Sequence, residues 1–334
     1  MNIVITGGAG FIGSTVVKLA LKKNFKVLNI DSLSYAGNKN NLKNLFNAHN
    51  YKFKKINILD YNKIYNAIRD FKPNYLMHLA ACSHVDNSIN SPLEFLKVNI
   101  EGTYNLLQTA QNLLIKSILP KNFIFHYIST DEVYGSLGKK GSFDEKSNLN
   151  PQNPYSATKA SAEHLVKSWG NTFKVPYLIS NCSNNYGPFQ HPEKLIPKTI
   201  INGLLKKNIP VYGNGKNVRD WLHVRDHAEC LFDIAEKGKN GQTYNIGSNN
   251  EITNIDIVKR ICKILDEKTN SNFKHENLIT FINDRPGHDL RYAINPKKIN
   301  KLIKWYPKID FDRGLDQTID WYLSNENWWK SLIS

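Results

Sequence analysis

The sequence predicts an α/β protein: a doubly wound parallel sheet, joined to a smaller α/β part that would bind substrate. Three observations predict this. Short apolar, β-branched stretches alternate with amphipathic helical stretches through the first half of the chain. The first of these stretches runs directly into a glycine-rich turn, Gly7-Gly8-Ala9-Gly10-Phe11-Ile12-Gly13. After about Gly187 the alternation weakens, and Pro, Gly and Asn become denser.

Asn2 to Thr6 reads as a short strand. In the turn after it, Gly7 permits the tight bend, Gly10 lets the backbone approach a pyrophosphate, and Gly13 lets the following helix pack on the strand. The helix that opens there, with Val16, Val17, Leu19 and Ala20 on its apolar face, offers N–H groups and a positive dipole end to phosphates. A second strand, Lys26 to Ile30, ends at Asp31, whose carboxylate accepts from the two ribose hydroxyls of an adenosine and repels a 2′-phosphate. Strand, glycine turn, helix, strand and acid in that order form a Rossmann-type unit and favour NAD over NADP.

The alternation continues with a strand from Tyr51 to Ile58, a helix from Tyr61 to Phe71, a strand from Asn74 to Ala80 and a helix from Asn99 to Leu114. Leu79, Ala80 and Ala81 include small residues that allow a cofactor close to the backbone. The apolar run Phe123 to Ile128 reads as a buried strand, and it ends in Thr130-Asp131-Glu132. In an open parallel sheet, ligands sit beyond the carboxyl ends of the strands. Two adjacent carboxylates there can hold different pKa values and divide acid and base work. On its own the pair also suits an ordinary strand-to-turn junction facing water.

The next helix opens at Asn153, a capping residue, with Pro154 at the first helical position. Tyr155 and Lys159, four apart, share one face. A lysine cation one turn away favours the phenolate and lowers the tyrosine's pKa from its usual value of about 10.

Composition narrows the function classes. The 334 residues, with 41% hydrophobic and 11% aromatic, suit a globular protein with a sizeable core. No apolar run approaches the ~20 residues of a membrane helix. Asn2 to Thr6 starts a strand without a charged, then apolar leader, so a cytoplasmic location is expected and a membrane partner is not. The net charge is +15, which raises nucleic-acid binding, but the lysines are scattered in pairs and form no groove-tracking stripe. Cys82, Cys182, Cys230 and Cys262 form no C-x-x-C pair, so no metal site is indicated and free buried thiols are expected.

With its spaced glycines and Tyr155-x-x-x-Lys159, the sequence resembles the extended short-chain dehydrogenase/reductase superfamily. Further stretches narrow the resemblance: Thr130-Asp131-Glu132-Val133-Tyr134-Gly135; His78 through His84-Val85-Asp86; Asn181 through Gly187-Pro188; Arg219 to Leu222; Asp284-Arg285-Pro286-Gly287-His288-Asp289; and Trp321 to Leu323. Together they resemble the dTDP-glucose 4,6-dehydratase family over nearly the whole chain. A UDP-glucose 4,6-dehydratase or a nucleotide-sugar 4-epimerase is the alternative within the same fold; epimerases lack the Asp-Glu pair.

The resemblance implies conversion of dTDP-D-glucose to dTDP-4-keto-6-deoxy-D-glucose and water, through transient oxidation at C4 with bound NAD. Tyr155 would take the 4-hydroxyl proton, with Lys159 supporting its phenolate and Thr130 bonding the 4-oxygen. Glu132 would take the C5 proton, and Asp131 would protonate the departing 6-hydroxyl. Ser34, Asn57, Ile58, Ser83, Val98 and Asn185 join the residues above around NAD. Ser83, Thr130, Asn184, Lys194, Leu195, Pro210, Val211, Tyr212, Asn254, Asp284, Pro286, Gly287 and His288 would meet the nucleotide sugar, with Arg219 and Arg285 at its diphosphate. The family pairs its long helices into a homodimer. Cys82, Asn57 and Asn87 depart from the family's usual glutamate, aspartate and arginine. The expected division is an NAD-binding domain over residues 1–187 and a mainly nucleotide-sugar-binding part over 188–334, with some elements crossing back. Trp305, Trp321, Trp328 and Trp329 are read as packing.

Overall fold

The computed structural model describes residues 1–270 and 272–333. The alternating elements of the first half are β1 (Asn2–Thr6), α1 (Phe11–Lys22), β2 (Lys26–Asp31), β3 (Tyr51–Lys55), α2 (Tyr61–Phe71) and β4 (Tyr75–His78). Then come α3 (Val85–Asn90), α4 (Pro92–Phe95), α5 (Gly102–Ile115), β5 (Ile124–Thr130), α6 (Pro154–Phe173) and β6 (Tyr177–Cys182). Side chains alternate across β1, so Ile3 and Ile5 enter one core while Val4 enters the other. The first core holds Val16, Val17 and Ala20 of α1; the second holds Ile64 and Ile68 of α2, Leu106 and Leu107 of α5, and Val166 of α6. Helices on both faces of a buried parallel sheet follow from this pattern.

The second half contributes β7 (Asn184–Tyr186), α7 (Leu195–Leu204), β8 (Ile209–Tyr212), β9 (Val218–His223), α8 (Val224–Lys237) and β10 (Gln242–Ile246). It continues with β11 (Glu251–Thr253), α9 (Asn254–Lys268), β12 (Ile279–Ile282), α10 (Lys297–Ile303), α11 (Phe311–Ser324) and α12 (Glu326–Ile333). The main sheet has seven strands in the order β10-β6-β5-β4-β1-β2-β3, paired in parallel. β10, from the second half, thus completes the sheet of the first, and Leu231 and Ile234 of α8 share a core with α1. β11-β9-β7 and β12-β8 form two small sheets. Ile200, Ile261, Leu265, Leu315 and Ile319 build a third core among α7, α9 and α11. Among the described residues, no helix is long and apolar enough to cross a membrane.

Strand order reverses between β1 and β4, which opens a crevice at their carboxyl ends. The glycine turn occupies that point. Gly7 has φ +74°, and a Cβ there would lie 2.6 Å from the Ala80 nitrogen. Gly13 is equally constrained, since its Cβ would stand 2.1 Å from the Gly7 carbonyl oxygen.

Several element ends differ from the sequence reading, β5 among them, which runs Ile124–Thr130 rather than Phe123 to Ile128. β3 stops at Lys55 rather than Ile58, because the Asn57 side chain turns back to accept from the Leu59 N–H at 3.0 Å. β4 stops at His78, where the chain must leave the sheet to skirt the glycine turn. The helix expected from Asn99 begins as a wide π-helical turn, Leu96–Glu101, before α5. Such turns recur at functional sites, and this one aims Asn99 inward. The Asn99 side chain accepts from the Cys82 N–H (2.8 Å), donates to the Cys82 carbonyl (3.0 Å) and donates to the Thr158 hydroxyl (2.9 Å). It thereby ties α6 to the loop after β4.

Candidate active site

β5 lies between β4 and β6, and its end delivers Thr130, Asp131 and Glu132 to the crevice. The Thr130 hydroxyl accepts from the Glu132 N–H at 3.3 Å, which caps the short 3-10 turn Asp131–Tyr134. Asp131 is 1% exposed. Burial, then the neighbouring Glu132 and Asp220 carboxylates, push its pKa well above the usual range. Burial raises Glu132 too, but Arg285, Lys194 and Arg219 oppose the rise. Two adjacent carboxyls in different fields suit different proton roles. Asp131 Oδ2 and Glu132 Oε2 are buried with no hydrogen-bond partner among the described residues. Buried polar atoms are nearly always paired, so both oxygens are open to a hydrogen-bond donor within the cleft they line.

The start of α6 is fixed locally. Asn153 and Ser156 form a reciprocal capping box, and Pro154 occupies the first turn. One turn apart, Tyr155 and Lys159 are both buried and line the same cleft as the carboxylates. The Lys159 ammonium donates to the Ile128 carbonyl at 2.8 Å and lies 4.2 Å from the centre of the Tyr127 ring. Burial lowers Lys159 to about 8, against the pull of Glu163. The expected lowering of Tyr155 is not met: its pKa is raised well above 10 by burial first, then by Glu132. Desolvation of the phenolate, added to the nearby carboxylates of Glu132 and Asp131, accounts for the rise.

The cleft measures about 340 Å³. Every residue that the sequence assigns to the cofactor, from Gly7 to Asn185, lines it, as do all five proposed catalytic residues. A Cβ on Gly10 would meet only the Gly7 carbonyl oxygen, at 3.4 Å, so its outer side is open for a close-lying group. Asp31 is held by the N–H groups of Ala9 (2.9 Å) and Leu33 (2.8 Å). An open glycine face beside a braced carboxylate fits a dinucleotide's pyrophosphate and ribose.

The nucleotide-sugar candidates divide. Ser83, Thr130, Asn184 and Lys194 line the cleft, and the Lys194 ammonium donates to the Ser83 carbonyl at 2.9 Å. The others lie beyond this lining. Val211 belongs to a core with Ile209, Val258 and Cys262, because along β8 only Pro210 and Tyr212 point out of it. Leu195 is partly buried against the same core. Arg219 donates to the carbonyls of Val218 (2.8 Å) and Asp289 (3.0 Å) and stacks 4.3 Å from the Tyr292 ring centre. Part of its fork is therefore already engaged. Arg285 donates to Asp86 Oδ1 at 3.3 Å, and the Tyr212 hydroxyl donates to Asp86 Oδ2 at 2.8 Å. His288 Nδ1 stands 2.6 Å from Asp284 Oδ1 on the loop that also carries Pro286 and Gly287. Asn254 begins α9, its Oδ1 buried and unpartnered among the described residues.

Sequence reasoning missed several contributors. Asp86 closes the His78–Asp86 stretch without an assigned role, yet its carboxylate joins Arg285 to Tyr212. Glu163, four residues beyond Lys159, accepts from Asn181 Nδ2 at 2.7 Å; its spacing on the Tyr155–Lys159 face was a usable signal. Glu94 brings a carboxylate to the cleft beside Cys82, with Oε1 4.0 Å from the Cys82 sulfur. Trp328, read as packing, lines the cleft as well.

Comparison with known proteins agrees with this geometry. The family model described as GDP-mannose 4,6 dehydratase matches residues 4–318. A probable dTDP-glucose 4,6-dehydratase of Sinorhizobium fredii is 48% identical over 336 residues, covering 99% of this chain and 95% of the relative. The crystal structure of Bacillus anthracis dTDP-glucose 4,6-dehydratase in complex with NAD has a TM-score of 0.89 at 42% identity, covering 99% of both chains. That of the Streptomyces venezuelae dTDP-glucose 4,6-dehydratase, with NAD and TYD bound, has a TM-score of 0.91 at 36% identity, covering 99% of this chain and all of the other. Full-length likeness in sequence and fold places this chain in the dTDP-glucose 4,6-dehydratase family of the extended short-chain dehydrogenase/reductases.

Proposed function

We propose that this chain converts dTDP-D-glucose to dTDP-4-keto-6-deoxy-D-glucose and water, using NAD that stays bound. One observation carries the reading: the Asp131–Glu132 pair lines the same cleft as Tyr155, Lys159 and the glycine turn. The chemistry that bound NAD would supply is reversible hydride transfer, out of C4 of the sugar and back at C6 as a proton returns to C5, with no net redox change. Gly7, Gly10, Gly13 and Asp31 are the residues that would hold it.

The remaining work falls to side chains. Tyr155 accepts the 4-hydroxyl proton, and Thr130 donates to the 4-oxygen. Lys159 supplies the nearby positive charge that a buried phenol needs to ionise. A ketone at C4 acidifies the C5 hydrogen, which Glu132 removes as general base. Asp131, whose pKa burial and Glu132 push upward, is the acid that delivers its proton to the departing 6-hydroxyl. Residues 1–187 are assigned mainly to NAD and 188–334 mainly to the nucleotide sugar, with Arg285 the less encumbered of the two diphosphate arginines.

Supplying dTDP-glucose and UDP-glucose side by side tests this. The 4-keto-6-deoxy product is expected from dTDP-glucose, with slower turnover of UDP-glucose. Recovery of dTDP-galactose alone would mean epimerisation and reject dehydration.

The partner is a second copy of this chain. Tyr104 and Ile115 on α5, Phe173 on α6, and Leu93 and Leu96 just before α5 are apolar and exposed, as a helix-pairing face would be. Sedimentation at twice the chain mass is expected; a monomer at micromolar concentration would contradict it.

A further inference from the structure

The carboxy-terminal helix α12 reaches across the fold to the cofactor cleft. Trp328 and Leu332, four residues apart on one face, line the cleft on the side of Asp31 and Asn41. The Trp328 indole N–H donates to Asn41 Oδ1 at 2.8 Å. Asn41 is 3% exposed, and its amide donates onward to the Ala9 carbonyl at 2.8 Å. Ala9, inside the glycine turn, donates its own N–H to Asp31 Oδ2 at 2.9 Å. A continuous chain of hydrogen bonds thus links the last helix to the turn and to the acid that faces the adenosine ribose.

A second set of contacts steadies the same helix. Phe189 packs 4.6 Å from Trp321 and 5.8 Å from Trp328, with the Lys18 ammonium 3.6 Å over its ring. Phe189 itself has φ +69°, a conformation that surrounding structure must hold in place. Behind the face, Trp329 is 1% exposed and donates to the Tyr322 carbonyl at 2.9 Å. The helix is therefore pinned by one tryptophan and presents the other to the cleft.

We propose that α12 is a clasp over the adenosine half of the cofactor cleft, in which Trp328, braced by Asn41, retains the dinucleotide. The proposal rests on reading the cleft as the NAD site. Its chemical sense follows from the reaction: a cofactor restored at the end of every turnover has no need to leave. Exit past α12 requires Trp328 to break its bond to a buried amide and to leave its aromatic neighbours. A single lost hydrogen bond is worth ~2- to 10-fold in an equilibrium or rate, and truncation of a packed indole adds to that.

The test compares the wild-type chain with Trp328→Ala and Trp328→Phe. NAD per chain is measured after gel filtration, and the release rate is followed by trapping freed NAD with a separate NAD-consuming dehydrogenase. The wild type is expected to keep its NAD through the column. Trp328→Ala should release it at least ~10-fold faster and emerge largely empty. Trp328→Phe keeps a ring but lacks the N–H, so it should fall between the two and decide the matter if the alanine variant folds poorly. Release at the wild-type rate from Trp328→Phe and from any folded Trp328→Ala overturns the clasp. A wild-type chain that never holds NAD overturns instead the reading beneath it.

Discussion

Replacing Glu132 by Gln is expected to stop water loss while leaving oxidation at C4 in place. The two side chains have the same shape, so the packing around Val133 and Tyr134 survives, and what disappears is a base. A positioned general base contributes ~10²- to 10⁴-fold, and dehydration should fall by that amount. Substrate should then bring the variant's cofactor to its reduced form, visible in the near-ultraviolet, without release of the 4-keto-6-deoxy product. Undiminished dehydration would remove Glu132 from its role. The wild-type pH profile carries the same signature. Glu132 must be ionised to act, and burial raises its pKa against the pull of Arg285, Lys194 and Arg219. Activity should therefore decline as pH falls through a value above the ordinary glutamate range, and this limb should be missing from the residual activity of the glutamine variant.

Tyr155→Phe is expected to act one step earlier. The ring fills the same place beside Phe95, whose centroid is 6.4 Å away, so folding should be preserved. Loss of the hydroxyl removes the group that accepts the 4-hydroxyl proton, and turnover should drop by ~10²- to 10⁴-fold. In contrast to the Glu132 variant, no reduced cofactor should accumulate on adding substrate. A variant that still reduced its cofactor at the normal rate would assign the first proton transfer to another group. Because burial and nearby carboxylates hold Tyr155 neutral in this structure, the cationic Lys159 is needed for it to ionise in the working complex.

Much of this site was legible in the sequence because its parts are local. Gly7, Gly10, Gly13 and Asp31 belong to one strand-turn-helix-strand unit, and backbone sterics alone demand glycine at two of those positions. The helix over Tyr61–Phe71 and the cap at Asn153 were likewise written in adjacent residues. What escaped depends on long-range packing. Val211 faces a core because β8 pairs with β12, some seventy residues later. The fork of Arg219 is engaged by the carbonyl of Asp289, which no local pattern near Arg219 announces. The π-helical turn that aims Asn99 at Cys82 and Thr158 is invisible to a periodicity of 3.6. Trp328 and Asn41 meet across 287 residues, so the aromatic pattern of α12 suggested only packing. The charge state of Tyr155 escaped for another reason: a lysine's influence on its neighbour is set by burial, and burial is known only once the fold is.

The most direct measurement of the central claim, that the sugar passes through a C4 ketone before losing water, is the fate of the C4 hydrogen. With dTDP-glucose carrying deuterium at C4, the account requires that the label appear at C6 of the 4-keto-6-deoxy product. Label lost to solvent, or product formed with unlabelled C6, would contradict it.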